Sequence, residues 1–216
     1  MRQPASLALL VLLLAAGGCS TAYYAAAEQI GFAPHDTLAN RIQQAKDAVK
    51  EAASHVRATA RALHALAEAP ESQRPARLRD AQTARAEAGE QAAEVAPRLA
   101  SVSRAGEALF DEWTGDVAAE SDADQRANEQ ALLAVSQQHY ARVVEALEQA
   151  RQAITAVLAG LDAQIAPLAE HLDSGAIAGL QAALPTIDAA INALGSDVDV
   201  AAALSTKYVT ELELND

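Results

Sequence analysis

The sequence predicts an all-α protein, an elongated antiparallel helical bundle with coiled-coil-like heptad seams. The chain of 216 residues contains 56 alanines, and alanine has the highest intrinsic helix propensity. Apolar residues recur in alternating steps of three and four over long segments, which is the spacing of a heptad. No segment shows a credible strand pattern.

The first long helix is predicted to begin at Thr37, a residue type that caps helix N-termini. Residues 19–35, which precede it, contain Gly31 and Pro34 and are predicted to form a tether. The seam of this helix consists of Leu38, Ile42, Ala45, Val49, Ala52, Val56, Thr59, Leu63 and Leu66. Pro70 and Pro75 bracket the turn that follows it.

The second helix is predicted to have a poorer seam. Arg85 interrupts the apolar positions, and Pro97 removes a backbone donor and is expected to bend the helix. Gly115 and the polar "ESDADQ" segment mark the next connection. The seam consists of Leu78, Ala81, Arg85, Ala88, Ala92, Val95, Leu99, Val102, Gly106, Leu109 and Trp113.

The third and fourth helices have the most apolar seams. The seam of the third helix consists of Tyr140, Val143, Leu147, Ala150, Ile154, Val157, Leu161, Ile165, Leu168 and Leu172. Consecutive steps of four from Val157 to Ile165 suggest a stutter. A turn at residues 173–175 leads to the fourth seam, which Pro185 and Gly195 interrupt. Its positions are Ile177, Leu180, Leu184, Ile187, Ile191, Leu194, Val198, Ala201 and Leu204.

Short connections between four helical segments favour an up-and-down bundle, because neighbouring helices are then antiparallel. We therefore predict one helical domain over residues 36–213. A long two-helix hairpin flanked by shorter helices is the competing arrangement.

Residues 1–18 have the pattern of an export signal. Arg2 gives a positive start, residues 7–14 form a short apolar run, and residues 16–18 are small. The run is too short to span a bilayer, which needs about 20 apolar residues. We predict a cleaved signal peptide.

Cys19 follows this signal directly and is the sole cysteine. A small-small-Cys ending resembles the lipobox of bacterial lipoproteins, although Ala16 stands where Leu is commoner. The resemblance implies a lipidated Cys19 and an anchor in the membrane, since two or three acyl chains hold a protein there stably. Ser20 favours the outer membrane and a periplasm-facing domain. The alternatives are a soluble protein with a free thiol and a retained signal anchor.

The charge of the chain excludes some partners. The formal net charge is −13, and removing the signal with its single Arg2 makes it −14. Such a surface repels phosphate backbones, and the composition shows no basic stripe to compensate, so we predict no nucleic-acid binding. A single cysteine also excludes an internal disulfide.

Motifs for catalysis or metal binding are missing from the sequence. A ferritin-like site needs Glu-x-x-His, but other residues stand three before four of the histidines: Ala52, Arg61, Ser136 and Leu168. His64 and Glu68 are expected to be an exposed helix pair. Asp122 and Asp124 are expected to lie in an acidic turn, since Arg126 occupies the third ligand position of a calcium loop. We predict no catalytic residue, no metal site, no cofactor and no enzymatic activity.

The segment "ALFDEWTGDV" carries the candidate partner-binding residues. Phe110 and Trp113 are three residues apart on one helix face and flank Asp111 and Glu112. The two rings either fill the core with bulk that alanine cannot supply or anchor a partner from an exposed position. Burial in the core is favoured.

Four segments carry a resemblance to a known family. They are "YYAAAEQIG" with Tyr23, Tyr24, Glu28 and Gly31, then "ALFDEW", "HYARVVEALEQA" and "AIAGLQ". Together they resemble the uncharacterised proteobacterial domain-of-unknown-function 2959 family. The resemblance implies a helical protein, often with an export or lipoprotein signal, and brings no catalytic residues. The chain departs from the family pattern at "APHD" and at "AEHLDSGAIAG".

Two classes of function remain open from the sequence. The first is a non-enzymatic cell-envelope lipoprotein, anchored at Cys19, whose helical bundle is a scaffold or adaptor for a protein partner. The second is a small-ligand- or metal-binding bundle, possibly an enzyme, that uses the space between its helices.

Overall fold

The computed structural model describes residues 34–214, and within them it contains four long helices and no strand. These are α1 (Pro34–Ala67), α2 (Arg74–Ala119), α3 (Ala123–Glu170) and α4 (Ser174–Leu214), with a short 3-10 helix at Glu71–Gln73. The all-α prediction is confirmed. Cys19, the predicted signal and the predicted tether up to residue 33 lie outside the described residues.

Neighbouring helices run antiparallel, because residue numbers that rise along one helix fall along the helix it contacts. Between α1 and α2, His35 contacts Trp113 and His55 contacts Glu87. Between α2 and α3, the pairs are Arg85 with Asp162 and Val102 with Tyr140. Between α3 and α4 they are His139 with Glu211 and Gln149 with Asp197, and between α1 and α4 they are Lys46 with Thr206 and His64 with Asp188. Each helix therefore contacts two others, as in an up-and-down bundle. The α2–α3 hairpin has the longest helices, of 46 and 48 residues, and the flanking α1 and α4 have 34 and 41 residues. The competing description, a long hairpin with shorter flanking helices, therefore also fits these lengths.

The predicted seam of α1 forms one side of the core. All nine of its positions are buried, most of them completely. Thr59 is the polar member, and its hydroxyl donates to the carbonyl oxygen of His55 at 3.1 Å. The heptad pattern therefore placed this helix in the bundle correctly.

The other seams differ from the prediction at a few positions. In α3, Leu158 is buried whereas Val157 is half-buried, so the consecutive steps of four fall at Ala150, Ile154 and Leu158. In α4 the buried seam continues past Leu204 through Ser205, Tyr208 and Leu212. The helices nevertheless bury the predicted faces.

The helix ends have identifiable causes. The predicted start at Thr37 is wrong: α1 begins at Pro34, a residue type favoured in the first turn. Pro34 and His35, assigned to the tether, therefore belong to the helix. Asp122 caps α3, since its side chain accepts from the backbone of Asp124 and Gln125.

Proline does not end a helix in the interior of this bundle. The α2 helix is continuous through Pro97, and α4 is continuous through Pro185. Ser101 donates its hydroxyl hydrogen to the Pro97 carbonyl at 3.0 Å. The missing donor is tolerated because the rest of each long helix is held by its neighbours.

By length and composition alone, α3 and α4 could each cross a membrane. Core helices of soluble bundles have the same property. Asp162 of α3 forms an ion pair with Arg85 of α2, and Asp188 of α4 contacts His64 of α1. We therefore treat both as bundle helices.

Candidate functional site

Five aromatic rings gather at one end of the bundle, where α1 begins and α4 ends. We call this group the aromatic end: His35 of α1, Phe110 and Trp113 of α2, Tyr140 of α3 and Tyr208 of α4. Each helix contributes at least one ring. All Phe, Trp and Tyr side chains of residues 34–214 therefore belong to this group.

The rings contact one another edge to face, the arrangement that aromatic quadrupoles favour. The centroids of Phe110 and Tyr140 are 5.2 Å apart at an interplanar angle of 69°. Those of His35 and Trp113 are 5.8 Å apart at 67°. Tyr208 extends the first pair into α4, with its centroid 6.4 Å from that of Tyr140.

The two tyrosine hydroxyls find partners in the bundle. Tyr140 donates to the carbonyl oxygen of Val102 at 3.3 Å, and the Tyr208 hydroxyl lies 2.9 Å from that of Ser136. Burial raises the pKa of Tyr208 to about 12 and also raises that of Tyr140. Both phenols are therefore neutral at physiological pH and serve as packed, hydrogen-bonded groups.

Gly106 allows Tyr140 to approach α2 closely. A Cβ atom at Gly106 would lie 2.5 Å from the Tyr140 hydroxyl oxygen and 2.7 Å from Cε2. No side chain fits at that distance. The glycine is thus required for packing at the aromatic end.

The predicted partner-binding residues occupy different environments. Phe110 packs partly buried against the core, which agrees with the favoured interpretation. Trp113 is half-buried, and its indole nitrogen donates to Oε2 of Glu129 at 3.3 Å. Asp111 and Glu112 are exposed. Of these four residues, the two carboxylates are the most accessible to a partner, and both rings are partly exposed.

The connection between α2 and α3 is strongly acidic. From residue 107 to 129 the chain has eight carboxylates and one arginine, so this hairpin holds half of the charge of −14 predicted for the mature chain. Arg126 donates to the backbone carbonyl of Glu120 at 2.9 Å. The carboxylate of Asp122, weighed as a calcium ligand, caps α3 instead.

Two histidines, His64 and His139, pair closely with carboxylates of another helix. The prediction that His64 pairs with Glu68 is wrong, since His64 Nε2 lies 2.8 Å from Oδ1 of Asp188 on α4. His139 Nδ1 lies 2.7 Å from Oε2 of Glu211. No group of three metal-ligating side chains occurs within residues 34–214.

Comparison with protein families identifies the chain. A family model described as a protein of unknown function (DUF2959) matches residues 23–212, which include nearly all of the four helices. The chain belongs to the DUF2959 family. No curated protein and no solved structure matches it. In this DUF2959 chain the segment "ALFDEW" supplies two of the rings of the aromatic end.

A second feature of this DUF2959 protein was missed by the sequence analysis. Four basic residues and a histidine follow one side of α1 at helical spacing: Lys46, Lys50, Arg57, Arg61 and His64. They lie within about 60° of one another around the helix axis. We call them the basic row. The spacing of these residues is visible in the sequence, but the negative net charge of the whole chain drew attention away from a local basic pattern.

The basic row borders a surface groove between α1 and α4. Lys46 Nζ contacts Thr206 Oγ1 at 3.3 Å, which places this side of α1 against α4. The groove has a volume of about 690 Å³. Its lining is Arg57 together with Ile191, Asn192, Gly195, Ser196, Asp199, Val200 and Ala203.

Proposed function

We propose that this protein is a lipid-anchored, non-enzymatic component of the bacterial cell envelope whose bundle acts as a scaffold or adaptor. The observation that carries the proposal is Cys19, placed directly after a short apolar run and three small residues. Acyl chains on its sulfur would hold the protein to the outer membrane, with the helical domain in the periplasm.

The interior of the bundle supports a structural role. Its largest fully buried side chains are aliphatic, and they come from all four helices. A core filled in this way uses the space between helices for stability. At 1.5 Å per residue, α3 is about 72 Å long. Such helices can separate a partner from the membrane or hold two partners apart.

The acidic face of the aromatic end is the proposed contact for a protein partner. Asp111 and Glu112 are exposed beside half-buried Trp113. Carboxylates next to an aromatic edge suit a partner with Arg or Lys side chains, which form ion pairs and stack on rings. The partner would therefore present a basic surface.

Metabolic labelling with a fatty-acid analogue tests the anchor. Wild-type protein should carry the label and sediment with membranes, and Cys19→Ser should lose both properties. Ser20→Asp is the matched control, because it keeps the sulfur and should keep the label. An unlabelled wild type with the mass of an unmodified thiol would end the proposal.

Crosslinking in intact cells tests the partner contact. A photoreactive residue at Asp111 or Glu112 should capture a discrete protein, because both positions are exposed. Glu90, also exposed on α2, is the control position. Equal capture from Glu90, or none from either test position, would remove the aromatic end as the contact surface.

A further inference from the structure

The groove between α1 and α4 contains a half-buried cation without a counter-ion. The Arg57 side chain is half-buried, and no hydrogen bond or ion pair reaches it from the rest of residues 34–214. Charged side chains removed from water are ordinarily paired, because the lost hydration must be offset. The guanidinium therefore retains donors that residues 34–214 do not use.

Gly195 holds this guanidinium close to the α4 backbone. A Cβ atom at Gly195 would lie 3.2 Å from Nη2 of Arg57, so a larger side chain would displace the guanidinium or fill the space beside it. Gly195 stands in the interior of a helix, where glycine costs about 1 kcal/mol relative to alanine. The groove thus exists at the expense of local helix stability.

The neighbours of Arg57 favour a negative ligand. Lys50 and Arg61 lie on the same side of α1, are exposed, and likewise have no ion pair within the described part of the chain. Asp188 on α4 is already paired with His64. Asp199 is the remaining acidic group in the lining, and it is exposed. Arg57 is thus the cation of the groove lining and Asp199 its carboxylate, while Lys50 and Arg61 add positive charge on the same side of α1.

The α4 side of the groove supplies apolar surface among the polar residues Asn192, Ser196 and Asp199. Ile191, Val200 and Ala203 line it, and Val200 is a large hydrophobic side chain that is 52% exposed. A guanidinium can bind a carboxylate or phosphate through two parallel hydrogen bonds, while aliphatic side chains accept a hydrocarbon chain. One ligand can satisfy both halves only if it has an acidic head and an apolar tail.

We infer that the α1–α4 groove binds a monomeric anionic amphiphile, with Arg57 holding its acidic head and Ile191, Val200 and Ala203 contacting its tail. This site is separate from the aromatic end and does not depend on the anchor at Cys19. It gives the bundle a binding activity in addition to a scaffolding one.

Titration of the full chain carrying Cys19→Ser tests this site without the lipid. Laurate below its micellar concentration should bind saturably and shift the amide resonance of Gly195. Arg57→Gln should weaken binding about tenfold or more, since a charge-assisted hydrogen bond is lost. Gly195→Leu should abolish it by filling the groove. Asp199→Asn should strengthen it by removing the one repulsive carboxylate.

Controls distinguish binding at this site from nonspecific electrostatic or hydrophobic binding. Arg98→Gln removes an exposed arginine of α2 outside the groove and should leave laurate affinity unchanged. Thermal unfolding of each variant shows whether it is folded. Dodecylamine has the same tail with a positive head and should not bind.

Four results would overturn the inference. The first is equal affinity of Arg57→Gln and wild type for laurate, and the second is equal binding of laurate and dodecylamine by the wild type. The third is full competition with laurate by inorganic phosphate at the same concentration. The fourth is binding of the protein to anionic vesicles without binding of monomeric laurate. The third would indicate a simple anion site and the fourth a membrane-facing surface. A fifth contradicting result would be weaker laurate binding by Asp199→Asn, because this carboxylate should repel the acidic head.

Discussion

Arg85 of α2 forms a two-pronged ion pair with Asp162 of α3, with Nε 2.7 Å from Oδ1 and Nη2 2.6 Å from Oδ2. Arg85 occupies a seam position that the heptad pattern reserves for an apolar residue. The guanidinium reaches past the core to the exposed carboxylate on the adjacent helix. A charged residue is thus accommodated in the seam because it snorkels to a partner.

This geometry predicts a modest stability cost for Arg85→Ala. The change should lower the free energy of unfolding by about 1 kcal/mol, because the pair is bidentate but partly exposed to solvent. Arg77→Ala is the control, since Arg77 pairs with Asp80 within one helix on the surface. Urea denaturation measures both. A larger loss from Arg77→Ala than from Arg85→Ala would contradict this account.

Glycine-to-alanine substitutions should have opposite signs at two helix positions. Gly106→Ala should destabilise the protein by about 1–3 kcal/mol, because its Cβ would overlap the Tyr140 ring. Gly160→Ala should stabilise it by about 0.5–1 kcal/mol, because nothing lies within 4 Å of its Cβ and alanine favours the helix. Thermal and urea unfolding check both. Equal effects would show that Tyr140 is not packed on Gly106.

Alkaline pH should weaken the bundle through Tyr208. Its folded-state pKa of about 12 exceeds the ordinary value of 10.0, so the unfolded chain ionises first. The stabilisation is complete below about pH 10 and is lost as the pH rises to about 12, roughly 3 kcal/mol in total. Urea unfolding between pH 9 and pH 12 measures the slope.

Tyr208→Phe should flatten this alkaline slope because phenylalanine does not titrate. Part of the slope should persist, since burial also raises the pKa of Tyr140. At neutral pH the same variant should be slightly less stable than wild type because it leaves the Ser136 hydroxyl without its partner. Identical slopes for variant and wild type would refute the assignment to Tyr208.

Asp122→Ala should destabilise the start of α3 by about 1 kcal/mol. The substitution removes the oxygen that accepts from two backbone N–H groups. Glu112→Ala, an exposed change in the same acidic hairpin, should alter stability by less than about 0.5 kcal/mol. Hydrogen exchange of the amides of residues 124–127 should rise in the first variant alone. Equal exchange in both would argue that the cap is dispensable.

The heptad pattern predicted the bundle well because burial in long helices depends on one periodic face. All nine seam positions of α1 are buried. Arg85, the charged residue in the α2 seam, forms an ion pair with Asp162. Local chemistry was harder to predict. Thr37 is a good cap by residue type, yet Pro34 starts the helix earlier, and a cap requires a backbone conformation that residue type alone does not specify.

Contacts between helices could not be read from one sequence. The His64–Asp188 pair and the cluster of Phe110, Tyr140 and Tyr208 join residues far apart in the chain. Their partners depend on how the four helices are rotated and staggered. The basic row could have been predicted, because its spacing along α1 is visible in the sequence. The groove that it borders could not, because the groove depends on how α4 packs against α1.

The alternating direction of the helices has a practical consequence for tagging this protein. The start of α1 and the close of α4 share one end of the bundle, whereas the turns at residues 68–73 and 171–173 lie at the other. A reporter fused directly after Leu214 would therefore lie beside the start of α1. A short epitope inserted in either connection would instead lie at the opposite end of the bundle, about one helix length from the start of α1.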